Sequence, residues 1–357
     1  MTTAETVVVK IGTTSVTTAS GQIDHDVLAA LTKDVLALRQ RGVRVLVVTS
    51  GAITAGWAEV GRGAERPSDS VTLQAVAAVG QPLLMDAWRH AFSGARVHVG
   101  QVLLAPLDFA HRGQYLHART TINGLWDLGI VPIVNENDAV ADEEIRYGDN
   151  DRLAALVANL VAADLLVLLT DTAGLLTADP RLDPSATLIE EVVAFDRELD
   201  ALAGASHSRV GSGGMASKVA AARIATWSGV ETVIASARAG EPLVRVVDQH
   251  VGVGTRLRAR NERLSARKVW IAFAAPSRGT LVLNDGAVRA LVAEGRSLLR
   301  VGVTERRGTF DEGDAVEMVD TKGALIAKGL VRYGSSGWSN GEDVAVHRND
   351  LVVVRAL

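Results

Sequence analysis

The stretch GSGGMASKVAAARIATWSGVETVIA, residues 211–235, reads as a glycine loop, a helix and a buried strand in immediate succession. Gly211-Ser212-Gly213-Gly214-Met215-Ala216-Ser217-Lys218 opens the helix. Glycines at a helix start let backbone N–H groups face an anion, and the helix dipole favours negative charge there. Lys218 adds a mobile positive charge. The combination suits a polyphosphate; taken alone, it is equally an ordinary glycine-rich turn. The Walker A spacing G-x-x-x-x-G-K-[ST] is absent here and elsewhere in the chain. The predicted helix spans 215–227, with Met215, Val219 and Ala222 at i, i+4 and i+7, and stops at Gly229 before a strand over 231–235.

Working outward, the same alternation of short β-branched runs and helical stretches fills the chain to about residue 260. Strands are predicted over 6–9, 43–49, 96–104, 130–134 and 164–170, and helices over 26–41, 71–92, 114–128 and 151–162. Near-continuous apolar strands alternating with helices predict an α/β fold, a mostly parallel sheet with helices on both faces. The charged segment 256–267 approaches a boundary. Beyond Pro276 the texture changes to short strands with glycine turns, over 279–283, 315–319, 324–330, 344–346 and 351–354, with one helix over 286–294. That pattern predicts a small β-rich, barrel-like domain over 276–357 after a large domain over 1–260.

Composition narrows the function classes. The 357 residues are 48 % hydrophobic and 22 % charged, with a net charge of −4, so nothing global draws the chain to nucleic acid or membrane. The absence of cysteine removes disulfides, thiolate zinc sites and cysteine nucleophiles, and fits a reducing cytosol. No basic segment followed by an apolar run opens the chain, and no apolar stretch reaches membrane-helix length, so a cytoplasmic location is expected. No G-x-S-x-G elbow and no H-E-x-x-H spacing occurs, which argues against a serine hydrolase and a catalytic zinc; no protein metal site is expected.

Ligands of open α/β sheets gather at the C-terminal strand ends. There the sequence places Lys10-Ile11-Gly12-Thr13, Ser50-Gly51-Ala52-Ile53, Asn135-Glu136-Asn137-Asp138 and Asp171-Thr172-Ala173-Gly174. Every one of these ends is polar, small or charged, as one shared pocket requires. Lys10 is a snorkelling surface lysine or a phosphate lysine beside Gly12; its pairing with Lys218 favours the second. Gly148-Asp149-Asn150-Asp151 opens a helix and reads three ways: an N-cap and turn, a hard-cation site, or an aspartate that orients lysines. Asn135–Asp138 is a turn or, with Ser50 and Gly51, a receptor for an amino acid.

Taken in order, these motifs resemble the amino-acid kinase family and, within it, the glutamate 5-kinases. Thr170-Asp171-Thr172-Ala173-Gly174-Leu175 belongs to the same pattern. Arg278-Gly279-Thr280-Leu281 and Ser297-Leu298-Leu299 are similar to the PUA domain that bacterial members carry. The resemblance covers nearly the whole chain. It implies ATP-dependent phosphorylation of the L-glutamate side-chain carboxylate, the first step toward proline. It implies that Lys10 and Lys218 bind the ATP phosphates and that Asp151 orients both. By the same resemblance Gly12, Thr170, Asp171 and the loop Ser212, Gly213, Gly214, Met215, Ala216, Ser217 and Lys218 hold the nucleotide, with Mg2+ carried on it. Ser50, Gly51, Asp138 and Asn150 hold glutamate. Feedback inhibition by proline and a homo-oligomer are implied as well. Ser212 and Ser217 stand where the family favours threonine, and Arg300 where it favours proline; none removes a catalytic group.

Two rival readings remain distinguishable. Against a sister kinase of the same fold, acting on acetylglutamate, aspartate, carbamate or UMP, stand the paired Asn135–Asp138 and Gly148–Asp151 motifs and the PUA-like segment. An RNA-binding role expects a basic face, yet residues 276–357 hold eleven Lys and Arg against eleven Asp and Glu. No reductase-sized segment follows the kinase region, so a kinase without a fused second enzyme is expected.

Overall fold

A computed structural model describes residues 4–61, 67–105, 108–109, 111–140, 150–179, 182–193, 214–260, 263–338 and 343–354. The chain divides into two compact units, Met1–Arg263 and Leu264–Leu357.

The first unit is an eight-stranded sheet in the order β3-β4-β2-β1-β5-β7-β8-β6. Its strands are β1 (Thr6–Ile11), β2 (Arg44–Val48), β3 (Val99–Leu104), β4 (Val131–Glu136), β5 (Leu165–Thr170), β6 (Glu191–Val192), β7 (Glu231–Ser236) and β8 (Thr255–Leu257). All neighbours pair in parallel except β7 with β8. The chain builds outward from β1 through β2, then returns to lay β5 on the other side of β1. That reversal is the topological switch point of such sheets, where the strand ends open a crevice.

The helices are α1 (Thr13–Val16), α2 (His25–Gln40), α3 (Ala52–Val60), α4 (Ser70–Ser93), α5 (Arg112–Asp127), α6 (Asn150–Leu160), α7 (Met215–Trp227) and α8 (Pro242–Val247). Asp24 and Asp69 cap α2 and α4 by accepting from the N–H groups of Val27 and Thr72. One core joins Leu28, Leu31, Val35 and Leu38 of α2, Leu84, Trp88 and Phe92 of α4, and Leu243 and Val246 of α8 to Val7, Val9 and Ile11 of β1. Strand alternation then turns Val8 and Lys10 to the opposite face, where α6 and α7 pack. β1 is buried on both faces, which is why it reads as a continuous apolar run interrupted only by Lys10.

Helix α3 starts directly after β2 because Gly51 takes φ +110°, a left-handed conformation that a side chain resists. Helices α3 and α4 then cross through glycines. A Cβ on Gly80 would lie 1.8 Å from the Ala52 carbonyl oxygen, and one on Gly56 would lie 2.1 Å from that of Val76. The Trp88 indole N–H donates to Thr49 Oγ1 at 3.2 Å, tying α4 to the end of β2.

The second unit has α9 (Ala266–Val269), β9 (Ser277–Leu283), α10 (Asp285–Val292), β10 (Leu298–Leu299), β11 (Val303–Gly308), β12 (Ala315–Val319), β13 (Leu325–Val331) and β14 (Val344–Val353). They form a β-rich half-barrel in the order β10-β14-β13-β12-β9-β11, antiparallel except for β9 with β12. Leu281, Leu283, Leu291, Phe310, Val316, Met318, Ile326 and Val346 fill its own core, and Trp338 stands edge-on to Phe310. Residues 264–275 belong with this unit; the Lys328 ammonium donates to the Ala275 carbonyl.

Several elements differ from the sequence reading. The runs 344–346 and 351–354 belong to one strand, β14, whose register against β13 shifts across the polar stretch between them, Val331 pairing with Val346 and Gly329 with Leu351. β3 starts at Val99, since Arg96 has φ 56° and ends the preceding turn. The very short β6 and β8, the mostly exposed β11, and helices α3 and α8 carry too little periodic apolar signal to be read.

Overpacking a close crossing costs about 1–3 kcal/mol or more. Gly80→Ala is therefore expected to lower the thermal unfolding midpoint of the first unit, measured by calorimetry, while a solvent-facing change at Ala78 leaves it in place.

Candidate active site

Three elements converge on one carboxylate. Lys10 stands near the end of β1, Asp151 in the first turn of α6 and Lys218 in the first turn of α7. Their relative exposures are 3 %, 0 % and 5 %. Lys10 Nζ lies 2.5 Å from Asp151 Oδ1, and Lys218 Nζ lies 3.2 Å from Asp151 Oδ2. The Ser217 hydroxyl adds a contact to Oδ2 at 2.8 Å. Lys10 is thus no snorkelling residue, and Asp151 touches both lysines.

Burial by itself would push the Asp151 carboxyl up. The Lys10 and Lys218 ammoniums, with the hydrogen bonds from Lys10 and Ser217, outweigh it and hold the group down at about 2. One buried carboxylate thus faces two ammoniums, and a buried cluster of charged groups is a candidate functional site.

The anion side is completed by the start of α7. Gly214 is its N-cap in extended conformation, with no side chain capping the first turn. The first-turn N–H groups of an α-helix have no partner within it. The half-buried Met215 side chain packs with Leu175 and Val219. Ala216 is exposed and Ser217 half-buried. Gly12, the N-cap of α1, would place a Cβ 3.4 Å from Lys10 Nζ, so its hydrogen keeps the approach to that ammonium open. At the end of β5, buried Thr170 donates to Asp171 Oδ1 at 3.1 Å, and Asp171 is exposed.

A second polar pair stands beside the cluster. Asn150 precedes Asp151 on α6, and its Nδ2 donates to Ser50 Oγ at 2.8 Å. That leaves the Ser50 proton available for an acceptor. Among the described residues Asn150 Oδ1, though buried, has no hydrogen-bond partner. A donor and an acceptor side by side suit the carboxylate and ammonium of an amino acid. Asp138 stands half-buried in the 3-10 turn Asp138–Val140 after β4, which packs on α4.

Ser212 and Gly213, like Gly148 and Asp149, lie outside the described residues. Sequence reasoning missed Gln81, whose Oε1 accepts from buried Asn135 Nδ2 at 2.8 Å, and Thr49 under Trp88. Both partners lie on α4, dozens of residues from the strands they meet, and nothing local in the sequence pairs them.

Comparison with known proteins accords with this architecture. Residues 5–236 match the amino acid kinase family and residues 279–338 the PUA domain. A protein of Nitrosospira multiformis named glutamate 5-kinase is 43 % identical, over 98 % of this chain and 97 % of its own. One of Shewanella pealeana with the same name is 45 % identical over 98 % and 97 %, and one of Azoarcus sp. is 47 % identical over 93 % and 89 %. Among solved structures, carbamate kinase from Giardia lamblia bound to AMP-PNP superimposes with a TM-score of 0.50 at 20 % identity, over 72 % of this chain and 99 % of that one, a likeness of fold. With a buried lysine–aspartate–lysine cluster at the switch point of the sheet, and close relatives along almost its entire length, the chain belongs to the glutamate 5-kinase family, an amino acid kinase domain followed by a PUA domain.

Proposed function

We propose that this chain transfers the γ-phosphoryl group of ATP to the side-chain carboxylate of L-glutamate, giving L-glutamyl 5-phosphate and ADP, the first step of proline synthesis. The observation that carries the reading is the buried Lys10–Asp151–Lys218 cluster beside the open start of α7. The names of the relatives supply the acceptor.

A glutamate side chain has a reference pKa near 4.3, so at neutral pH the nucleophile is already ionised and needs no general base. The chain's task is alignment and neutralisation of charge on the phosphoryl oxygens. Lys10 and Lys218 bring two ammoniums to that group, and Asp151 holds them apart at a fixed spacing. The first-turn N–H groups of α7, from Met215 to Ser217, face the nucleotide phosphates with the loop of Ser212, Gly213 and Gly214. Gly12 gives the phosphates room against Lys10; Thr170 and Asp171 border the nucleotide at the end of β5. On the acceptor side, Ser50 donates to the glutamate carboxylate and Asn150 Oδ1 accepts from its ammonium, with Gly51 and Asp138 closing the pocket. Mg2+ enters on the nucleotide and supplies further positive charge to its phosphates. Among the described residues no group of three or more His, Cys, Asp or Glu side chains could hold a metal by itself, and Mg2+ is commonly carried by substrate phosphates and water.

Feedback inhibition by proline at the glutamate pocket, a homo-oligomer and a cytoplasmic location complete the reading. No helix among the described residues is long and apolar enough to cross a membrane.

With Mg-ATP and hydroxylamine, L-glutamate is expected to yield ADP and γ-glutamyl hydroxamate, while N-acetyl-L-glutamate, L-aspartate and UMP yield neither; turnover of another acceptor in place of glutamate would overturn the assignment. Loss of one charge-stabilising donor costs about 10²–10³ in rate, so Lys218→Ala is expected to drop kcat at least that far with circular dichroism unchanged. Asn150→Ala is expected to raise KM for glutamate about tenfold and to leave KM for ATP near the parent value, since it removes a hydrogen bond to a charged group. Initial-rate kinetics at varied glutamate and ATP separate the two effects.

A further inference from the structure

The hydroxyl of Thr255 meets both backbone groups of one residue. Thr255 opens β8 with no solvent exposure. Its Oγ1 accepts from the Leu175 N–H at 2.8 Å and faces the Leu175 carbonyl oxygen at 3.4 Å as a donor. That carbonyl also accepts from the Ile189 N–H at 2.9 Å. Close backbone approach brings the two residues together from both sides. Gly254 takes φ +74°, and a Cβ there would lie 2.4 Å from the Ile234 carbonyl oxygen. The chain therefore enters β8 pressed against β7, with Thr255 opposite Ile234. A Cβ on Gly174 would lie 2.7 Å from Thr255 Oγ1 and 2.9 Å from its backbone nitrogen.

Leu175 joins two borders of the nucleotide site. It ends the loop that leaves β5 through Thr170 and Asp171. Its side chain is buried against Val219 of α7, with Met215 packed on the same cluster. Successive side chains on an α-helix point about 100° apart. The contact that turns Val219 toward Leu175 thus sets the direction in which Lys218 leaves the helix. Met215 begins the first turn, whose N–H groups have no acceptor within the helix. A buried N–H without an acceptor is costly. Loss of the Thr255 hydroxyl would make Leu175 shift toward another acceptor, and α7 would lose the surface on which its start is seated.

Resting on the phosphoryl-transfer reading above, we propose that Thr255 is a positioning residue of the nucleotide site. Its hydroxyl locks Leu175, and through Leu175 it sets the spacing between the loop after β5 and the first turn of α7. The acceptor side, built on Ser50 and Asn150, has no contact with this lock, so the effect falls on the nucleotide alone.

The test compares Thr255→Val, which keeps the side-chain shape and removes the hydroxyl, with Thr255→Ser, which keeps the hydroxyl. ADP affinity is measured by titration calorimetry, and initial rates are measured at varied ATP and glutamate. Thr255→Val is expected to raise the Kd for ADP and the KM for ATP about tenfold, the scale of one lost hydrogen bond, with KM for glutamate within about twofold of the parent. Thr255→Ser is expected to bring the Kd for ADP back to within about twofold. A Thr255→Val chain that binds ADP like the parent overturns the inference, as does one in which both KM values rise together, the mark of a general loss of structure. Gly174→Ala disturbs the same contact from the other side and is expected to weaken ADP in the same way; unchanged ADP affinity in it overturns the inference even where Thr255→Val does not fold. A parent chain that binds no ADP overturns the nucleotide reading and this inference with it. A parent that binds ADP but makes no γ-glutamyl hydroxamate refutes only the acceptor, and the ADP titrations decide the role of Thr255 by themselves.

Discussion

Everything in the first unit is subordinate to the burial of Asp151 between two lysines. A carboxylate with no solvent exposure survives as an ion only because Lys10 and Lys218 meet it from two other elements. That requires β1, α6 and α7 to converge, and the parallel sheet is the device that makes them do so. β1 and β5 pair in register, α6 leads into β5, and α7 leads into β7 beyond it. The apolar residues of β1 hold the strand in place on both faces. The alternation that sends Val7, Val9 and Ile11 into one core delivers Lys10 to the other side.

The acceptor side depends on a different constraint, close backbone approach. Gly51 lets the chain turn sharply out of β2, so that Ser50 sits at the strand end within reach of Asn150. The glycine crossing of α3 and α4 keeps these helices near enough for α4 to brace both β2, through Trp88 and Thr49, and β4, through Gln81 and Asn135. The Ser50–Asn150 pair and the lysine–aspartate cluster are joined at Asn150 and Asp151, adjacent residues of α6.

The second unit stands on its own core of Leu, Val, Ile, Met and Phe, with buried polar groups answered locally, as Lys328 is by the Ala275 carbonyl and Arg300 by Asp343.

The sequence by itself determined the alternating α/β architecture, the β-rich second unit, the family and the identities of Lys10, Asp151 and Lys218. Those features are written in local signals: apolar periodicity, glycine punctuation and motifs at strand ends. Short or exposed elements such as β6, β8 and β11 escaped because a few residues carry no period. Only the tertiary structure set the Asp151 carboxylate 2.5 Å from Lys10 and 3.2 Å from Lys218. It alone paired Asn150 with Ser50, Gln81 with Asn135 and Ser217 with Asp151. Pairings between residues distant in sequence are products of helix and strand packing. A side chain's type shows what it can donate or accept, while its partner is settled by the elements that bring the two together.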